Sequence, residues 1–522
     1  MILGLLAAVA GLVMLSNVLR VPYPVFLVLG GLFLGLIPIV PSIELPPDLV
    51  LLIFLPPLLY SAAFFSSPRD LKANLWPIAS LAIGLVLLTT LTVAVVAHWA
   101  IGLPWAAAFV LGAIVSPTDP VAATAIAGRL GAPRRISTIL EGESLINDGM
   151  ALVLYQVARG AVAYGTFSLL DAGLEFVLYG TGGAAIGLLV GWVISRVRRW
   201  VEDPLVETTI ALFTGYAAYI PAEELGASGV ISVVAAALYL SLQSPRMTSP
   251  RNRLQIFDVL EVMNFLLNSL LFILIGLQLP NILGGISGEY STTSVLLYAA
   301  LVSLAVIGTR LLWTFPAAYL PSLVLRRGSY PPWQQVAVVG YTGMRGAVSL
   351  AAALAIPLTI EGGAPFPGRD LILFLTFCVI LFTLVPQGLS LPLVIRRLGL
   401  AGGEGVAERE ETEARLRAAE AALERIDELE DKDWVREDTT GRMRDFYEYR
   451  RRRFAARSAG QPEDGKEDDY EERSLAYQRF RRELLDAERA ALLQLRNQGR
   501  LSDETRRRIE RDLDLEDARL EI

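Results

Sequence analysis

Four charged residues stand inside long apolar runs, where a charge is costly. Asp119 lies in GAIVSPTDPVAATAIAG, Glu143 and Asp148 lie in LEGESLINDGMALVLY, and Arg345 lies in GYTGMRGAVSLAAALAIP. A charge at the centre of a membrane helix costs about 2.5–3.5 kcal/mol on insertion scales, so it marks a function or a buried partner. A carboxylate in such a place can hold a proton or a small cation, and this is the chemistry we expect here.

The second of these runs places oxygen ligands on one side of a helix. Residues four apart share a helix face, so Ser144 stacks on Asp148 and Glu143 stacks on Asn147. Hard cations take oxygen ligands, and a carboxylate among them can also bind a proton. A structural hydrogen-bonding role is the alternative for Asp148. Glu141 lies nearer the end of the run and is expected at the membrane interface.

Asp119 is flanked by Pro117 and Pro120, which predict a broken helix. Proline lacks the amide hydrogen and clashes with the preceding turn. Asp119 before Pro120 has the pattern of an N-cap followed by proline at the first helical position. The chain should therefore break near residues 116–119 and restart as a half-helix. Capping the helix and binding a cation both remain open roles for Asp119.

Arg345 needs a buried anion, because an unpaired charge in the membrane interior is not tolerated. We predict that Glu143 is its partner, in a pair that is structural rather than catalytic. This choice leaves Asp148 free to bind a cation or a proton. Arg310 is a fifth buried charge, expected to be structural, with Glu261 as one candidate partner.

The run around Arg345 resembles the run around Asp119 in being interrupted near its centre. Gly340, Gly343 and Gly346 interrupt the twelfth apolar run, as the prolines interrupt the fifth. The two runs are seven spans apart, so they cross the membrane in opposite directions. Interrupted segments in matching positions of two inverted halves indicate a transporter with a site near the membrane midplane.

These residues require a membrane scaffold, and the composition supplies one. Of the 522 residues 53% are hydrophobic and only 19% are charged. Apolar runs of about 20 residues match a bilayer core of roughly 30 Å, and helices are the default fold there. We predict an all-α polytopic membrane protein with about thirteen spans. The predicted spans are 2–19, 24–40, 48–65, 74–98, 103–127, 137–157, 170–195, 205–221, 227–243, 257–279, 293–320, 333–357 and 370–395.

The distribution of charge predicts orientation and domain organisation. The loops on one side of the thirteen spans carry 16 Lys and Arg residues, whereas those on the other side carry Arg159 and Arg369 alone. By the positive-inside rule the N-terminus is outside and the charged C-terminal part is cytoplasmic. We therefore expect a transmembrane domain at 1–398 and a cytoplasmic helical tail for regulation or assembly at 399–522.

The few cysteine, histidine and lysine residues exclude or disfavour several classes of function. The only cysteine is Cys378 and the only histidine is His98, so neither an internal disulfide nor a histidine-based metal site can form. None of Lys72, Lys432 and Lys466 stands in a phosphate-binding loop, which argues against an ATP-driven pump. We expect no enzyme activity, no cofactor and no nucleic-acid partner. A membrane sensor and a passive cation channel rank below a transporter.

At the interrupted runs the sequence resembles the monovalent cation/proton antiporters, the superfamily of the NHE- and NhaP-type sodium/proton exchangers. The likeness covers the membrane part, and the tail is similar to that of a bacterial subgroup with cytosolic helical tails. The matching segments are LPPLLYSAAF at 55–64, SPTDPVA at 116–122, EGESLINDG at 141–149, LLNSLLFILIGLQ at 266–278 and GMRGAVSLA at 343–351.

The resemblance implies a mechanism and assigns roles to individual residues. It implies two crossing, partly unwound helices in a core domain that moves like an elevator against a scaffold domain. It identifies Asp148 as the residue that binds cation and proton in turn, next to the Asn147 typical of the electroneutral branch. Oxygen ligands for Na⁺ are expected from Thr118 and Ser144, and Asp119 is the acidic residue of the unwound crossing.

The resemblance also implies a Glu143–Arg345 ion pair, a location in the plasma (inner) membrane among its lipids, and a homodimer. In many relatives an acidic residue follows the LPP motif of the third span, but Ser61 occupies that place here. The expected function is exchange of H⁺ for Na⁺. K⁺/H⁺ exchange, or mixed exchange of Na⁺, K⁺ and Li⁺, is the alternative, and the sequence leaves cation selectivity, working pH and the role of the tail open.

Overall fold

The computed structural model describes most of the 522 residues. The described residues are 2–19, 21–37, 47–164, 169–201, 203–286, 291–325, 330–360, 363–402, 404–430, 432, 435–459, 467–498 and 500–520. Within these ranges the regular secondary structure is helical, apart from one isolated antiparallel bridge between Thr359 and Pro365. The prediction of an all-α protein is confirmed.

The chain divides into two compact units, Met1–Gly402 and Gly403–Ile522. The helices of the first unit are α1 (Ile2–Leu19), α2 (Tyr23–Gly35), α3 (Pro47–Phe65), α4 (Pro68–Ala73), α5 (Leu75–Ala79), α6 (Val86–Val96), α7 (Trp105–Val115), α8 (Val121–Arg129), α9 (Arg134–Tyr164), α10 (Leu169–Arg198), α11 (Pro204–Glu224), α12 (Gly229–Met247), α13 (Pro250–Leu277), α14 (Leu279–Ile286), α15 (Thr292–Leu325), α16 (Trp333–Tyr341), α17 (Ala347–Leu354) and α18 (Arg369–Arg397). The π-helical segments Ser80–Leu85 and Ala97–Ile101 extend α5 and α6 into one rod.

Each predicted span falls on a helix or on a pair of half-helices within the described ranges, and residues 38–40 of the second predicted span lie outside them. Among the described residues, the helices long and apolar enough to cross a bilayer are Leu75–Ile101, Phe176–Arg198, Asn252–Ile286, Thr292–Leu320 and Arg369–Arg397. Shorter apolar helices lie at Leu3–Leu19, Tyr23–Gly35, Leu51–Phe65, Trp105–Val115 and Gly229–Ser244. This set is compatible with about thirteen spans, because the charged α9 and the broken helices do not qualify by composition or length alone.

Both predicted helix breaks are present. In the fifth span α7 ends at Val115 and α8 begins at Val121, and in the twelfth α16 ends at Tyr341 and α17 begins at Ala347. The predicted N-cap at Asp119 is one residue early, because α8 has Pro120 at its N-cap and Val121 as its first residue. Asp119 Oδ1 still accepts a hydrogen bond of 2.9 Å from the amide of Val121. Proline and glycine therefore interrupt these helices where the sequence places them.

The two breaks meet and satisfy each other's backbone groups. The amide of Asp119 donates to the carbonyl oxygen of Met344 over 2.8 Å, and the Arg345 guanidinium donates to the carbonyl oxygen of Ser116. Gly346 permits this approach, since a Cβ there would lie 1.9 Å from Asp119 Oδ2. Unwound backbone at membrane depth is thus bonded to protein rather than left open to lipid.

The apolar residues of the first unit form two main clusters. The larger one joins α1, α2 and the C-terminal half of α13 to the helices around the two breaks. The smaller one joins α3, α11, α12 and the N-terminal part of α13. The helices that carry the charged motifs therefore pack mainly in one cluster, and α3 faces them from the other.

One of the 16 cations counted as loop residues is buried in the structure. Arg198 at the end of α10 forms an ion pair of 2.9 Å with Glu207 of α11, and both side chains are at most 1% exposed. Thr248 and Asn252 also hydrogen-bond to this carboxylate, over 2.9 and 2.6 Å. The pair joins the ends of four helices, so Arg198 is not part of the loop bias, although fifteen cations still oppose two.

The second unit consists of four helices with small cores of their own. They are α19 (Glu404–Leu429), α20 (Glu437–Ala459), α21 (Glu467–Asn497) and α22 (Asp503–Leu520). Phe454 is buried where α19 and α20 pack, with the Arg415 guanidinium 5.7 Å from its ring centroid. Arg489 of α21 binds Asp514 and Asp517 of α22. Apolar burial is slight, so ion pairs between charged helices make much of this unit's contact.

Close packing of α10 on α12 gives a first prediction. A Cβ at Gly187 would lie 2.1 Å from the carbonyl oxygen of Ser232, whereas one at Gly160 of α9 would meet no atom within 4 Å. We expect Gly187→Ala to lower the free energy of unfolding by about 1–3 kcal/mol through overpacking. The matched Gly160→Ala should leave the thermal unfolding midpoint in detergent unchanged or slightly higher. Equal midpoints for the two variants would contradict the observed packing.

Candidate functional site

A cavity of about 130 Å³ lies beside the point where the two breaks meet. Four of the predicted site residues line it: Thr118 and Asp119 from the first break, and Ser144 and Asp148 from α9. Their positions follow from local sequence, because the prolines expose residues 116–120 and the four-residue spacing puts Ser144 and Asp148 on one face. The structure therefore brings the predicted cation ligands together.

Asp148 is a buried carboxylate that is available to bind an ion. It is 6% exposed, borders the cavity, and accepts no hydrogen bond from the part of the chain that the structure describes. Ser144 lies one helical turn earlier on the same wall. A buried carboxylate that the protein does not neutralise needs a proton or a cation in its place.

Thr118 joins Glu143 and Asn147 in one hydrogen-bonded network. Its hydroxyl donates to Glu143 Oε1 over 2.9 Å and accepts a hydrogen bond of 2.8 Å from Asn147 Nδ2. Asn147 therefore lies behind the cavity and holds Thr118 instead of lining the cavity itself. A hydroxyl has one donor and two lone pairs, so Thr118 keeps one lone pair for a ligand.

The predicted ion pair between Glu143 and Arg345 is wrong, because Glu143 pairs with Arg310. Arg310 Nη1 and Nη2 donate to the two carboxylate oxygens of Glu143 over 2.5 and 2.8 Å, in a pair at most 2% exposed. The guanidinium also donates to the carbonyl oxygen of Val339 over 3.1 and 3.3 Å. Gly343 leaves room for this side chain, since a Cβ there would lie 2.5 Å from Arg310 Cδ.

The predicted partners of Arg310 and of Arg345 are therefore both wrong. Glu261 is exposed on α13 and is not the partner of Arg310. Arg345 is fully buried and donates to the carbonyl oxygen of Ser116, while its backbone amide donates to the Thr383 hydroxyl over 3.0 Å. Among the described residues its Nε and Nη2 have no hydrogen-bond partner. Arg345 therefore forms a hydrogen bond from the second break to the first and does not neutralise Glu143.

Sequence reasoning missed several residues that line the cavity. Asn264 and Asn268 reach it from α13, and Ser349 reaches it from α17. Glu141, expected at the interface, also lines the cavity, one turn before Ser144. Asn268 belongs to the LLNSLLFILIGLQ segment, and an amide within so apolar a run was the available signal.

Ser61, which stands where many relatives have an acid, does not line the cavity. It is fully buried in α3, and its hydroxyl has no hydrogen-bond partner within the described ranges. The neighbouring α3 residues that do reach the cavity are apolar. The wall contributed by α3 is therefore uncharged.

A comparison with protein families identifies this arrangement. The sequence profile described as the transmembrane domain of sodium/hydrogen exchangers matches residues 4–397. The chain belongs to the sodium/hydrogen exchanger family. It is accordingly a multi-pass membrane transporter that exchanges monovalent cations for protons, and not an enzyme.

Known relatives of the exchanger cover most of its length. An uncharacterized Na⁺/H⁺ exchanger of Mycobacterium tuberculosis is 39% identical over 99% of this chain and 95% of its own. The Na⁺/H⁺ antiporter ApNhaP of Aphanothece halophytica is 35% identical over 81% of this chain and 78% of its own. The first of these likenesses extends through the tail.

A solved structure supports the fold. The sodium proton antiporter MjNhaP1 of Methanocaldococcus jannaschii superimposes with a TM-score of 0.60 at 21% identity. The match covers 76% of this chain and 98% of the other. The membrane unit therefore has the fold of an NhaP-type exchanger, with its crossed broken helices.

The corrected ion pair gives a second prediction. Removing one partner of a buried pair leaves an uncompensated charge and costs about 3–5 kcal/mol, whereas removing both costs less than the sum. We expect Arg310→Met and Glu143→Gln each to lower the thermal unfolding midpoint in detergent, and the double variant to recover part of the loss.

Arg345→Met combined with Glu143→Gln is the matched comparison. These two side chains make no ion pair, so their effects on the unfolding midpoint should be closer to additive. Stronger coupling of Glu143 to Arg345 than to Arg310 would contradict the observed pairing.

Proposed function

We propose that this chain exchanges one H⁺ for one Na⁺ across the inner membrane, with both ions competing for Asp148. The observation that carries the proposal is the contrast between two carboxylates of α9. Glu143 is neutralised by Arg310 and held by Thr118, whereas Asp148 borders the cavity without a partner among the described residues. A site that must release its cargo needs a carboxylate of the second kind.

Na⁺ would bind between Asp148 and neutral oxygens already at the cavity. Ser144 offers a hydroxyl from the same helix face, and Thr118 offers its remaining lone pair from the break. Asp119 adds a further carboxylate at the crossing, with one oxygen held by the Val121 amide. Oxygen ligands of this kind suit a hard monovalent cation, and Asn147 would keep Thr118 in position.

The pairing of the buried charges supports electroneutral exchange. Glu143 is already paired with Arg310, so the charge on Asp148 is the one that a bound ion must neutralise. One bound Na⁺ or one bound H⁺ neutralises this carboxylate equally, and only a neutralised carboxylate crosses the membrane interior cheaply. The empty site stays charged, which couples the two ions without ATP.

An elevator-like movement would expose this site to each side in turn. The carboxylates sit on helices of the larger apolar cluster, and the opposite wall comes from α3 and α13. An apolar wall against a neutralised site offers little resistance to sliding, whereas a net charge facing it would be costly. The homodimer, the outside N-terminus and a cytoplasmic regulatory tail complete the proposal, and they rest on the family resemblance and on the loop charges.

Exchange of K⁺ or of several alkali cations is the second candidate. A protein named as a sodium, potassium, lithium and rubidium/H⁺ antiporter, from Bacillus pumilus, is 34% identical over 75% of this chain and 60% of its own. Separate additions of Na⁺, Li⁺ and K⁺ to one vesicle preparation decide between the two.

Loss of exchange in Asp148→Asn is the third prediction. An amide cannot trade a proton for a cation, so cation-driven proton flux should vanish while the unfolding midpoint stays near that of the wild type. Dequenching of a pH dye in everted vesicles measures the flux. Asp258→Asn removes an exposed carboxylate from α13 and serves as the matched control. Cation-dependent flux retained in Asp148→Asn would refute the assignment of the carrier.

Independence from membrane potential is the fourth prediction. A carrier that moves one net charge gains about 2.3 kcal/mol per 100 mV, whereas a one-for-one exchanger gains nothing. In proteoliposomes, the ratio of Na⁺ to H⁺ gradients at which net flux stops should therefore be the same with and without an imposed potential. A displaced null point would rule out the one-for-one stoichiometry.

A further inference from the structure

The cavity has two walls of different chemistry. The wall from the first break and α9 carries Asp119, Glu141 and Asp148. The α3 part of the opposite wall is apolar, with Leu51, Phe54, Leu55, Leu58, Leu59 and Ala62. Only α13 and α17 interrupt this apolar surface with polar side chains. The exchange proposed at Asp148 assigns no role to these polar side chains.

On α13 the polar side chains form a pair. Asn264 and Asn268 are four residues apart, and Asn268 Nδ2 donates to Asn264 Oδ1 over 3.0 Å. This bond uses one donor and one acceptor of a pair that has eight such positions. Both side chains line the cavity, so the Asn268 oxygen and a second lone pair of the Asn264 oxygen are left for a ligand there.

Ser349 is an independent observation on another helix. It lies on α17, just after the second break, and is 1% exposed. Its hydroxyl has no hydrogen-bond partner among the described residues, although it lines the same cavity. A buried hydroxyl without a partner is destabilising, and at this cavity a bound cation would supply the missing contact.

Neutral oxygens suit a cation that must be stripped of water and then released. A cavity of about 130 Å³ has room for several water molecules, so the cation can enter with part of its hydration shell. Carbonyl and hydroxyl oxygens replace those waters without adding charge, and their number and spacing discriminate between ions of different size. They also leave Asp148 to be neutralised by a single monovalent ion, as one-for-one exchange requires.

We propose that Asn264, Asn268 and Ser349 form a neutral oxygen shell that receives the partly hydrated cation in the cavity that Asp148 borders, and that this shell determines which alkali cations are carried. This proposal rests on the proposed exchange at Asp148. Asp148 supplies the charge that makes any cation bind, and the three neutral side chains supply the size-dependent part of the binding energy.

The test compares cation selectivity in proteoliposomes of the full-length chain. Half-saturating concentrations of Li⁺, Na⁺ and K⁺ are measured by dye dequenching for Asn264→Leu, Asn268→Leu and Ser349→Ala. Loss of one oxygen contact to a cation is worth about 1.4 kcal/mol or more, so the half-saturating concentration of the preferred cation should rise about tenfold. The poorly carried cations should change less, which compresses the ratios between the cations.

Ser269→Ala is the matched control. Ser269 is the neighbour of Asn268 on α13, is fully buried with an unpartnered hydroxyl among the described residues, and does not line the cavity. It should keep the wild-type ratios between the cations. Should a leucine variant fail to fold, Ser349→Ala still decides, because it removes a hydroxyl that makes no hydrogen bond in the described structure.

The two proposals fail in different ways. Wild-type protein without cation-driven proton flux, or unaffected by Asp148→Asn, would overturn the proposed exchange. Wild-type flux together with unchanged Li⁺, Na⁺ and K⁺ ratios in all three variants would overturn the oxygen shell alone. Compressed ratios in the variants, with wild-type ratios in Ser269→Ala, would establish it.

Discussion

The meeting of two broken helices is the constraint on which the rest of the membrane unit depends. Backbone groups freed by a break cannot be left open to hydrocarbon, and here each break supplies partners for the other. The amide of Asp119 bonds the carbonyl of Met344, and Arg345 bonds the carbonyl of Ser116. Because Gly346 lacks a side chain, the two segments approach closely enough for these bonds to form. A cavity with carboxylates on one wall lies beside this crossing.

Near this crossing the two buried carboxylates of α9 have different surroundings. Glu143 is bound by Arg310 and by Thr118, so its charge is already neutralised within the protein. Asp148 is five residues further along α9 and borders the cavity instead. A single family motif thus contains one acid with a protein partner and one acid at the cavity, on different faces of the helix.

Much of the fold followed from composition and pattern. Apolar runs of bilayer length located the helices, and Pro117, Pro120 and the glycines of the twelfth run located both breaks. These signals are local, because helix length and backbone donors depend on the residues of one segment. The partner of Glu143 is not local. Both Arg310 and Arg345 were expected to be buried cations, and the packing of α15 and of the second break decided which of them reaches Glu143.

By itself the sequence predicted a membrane protein of about thirteen spans with a functional carboxylate at Asp148, since hydropathy, charge bias and a four-residue spacing are properties of short segments. Tertiary structure alone decided which arginine neutralises Glu143 and which neutral side chains line the cavity with Asp148. Asn268 and Ser349 come from helices more than 100 residues away in the chain. Their position at the cavity depends on packing between helices, which no local pattern records.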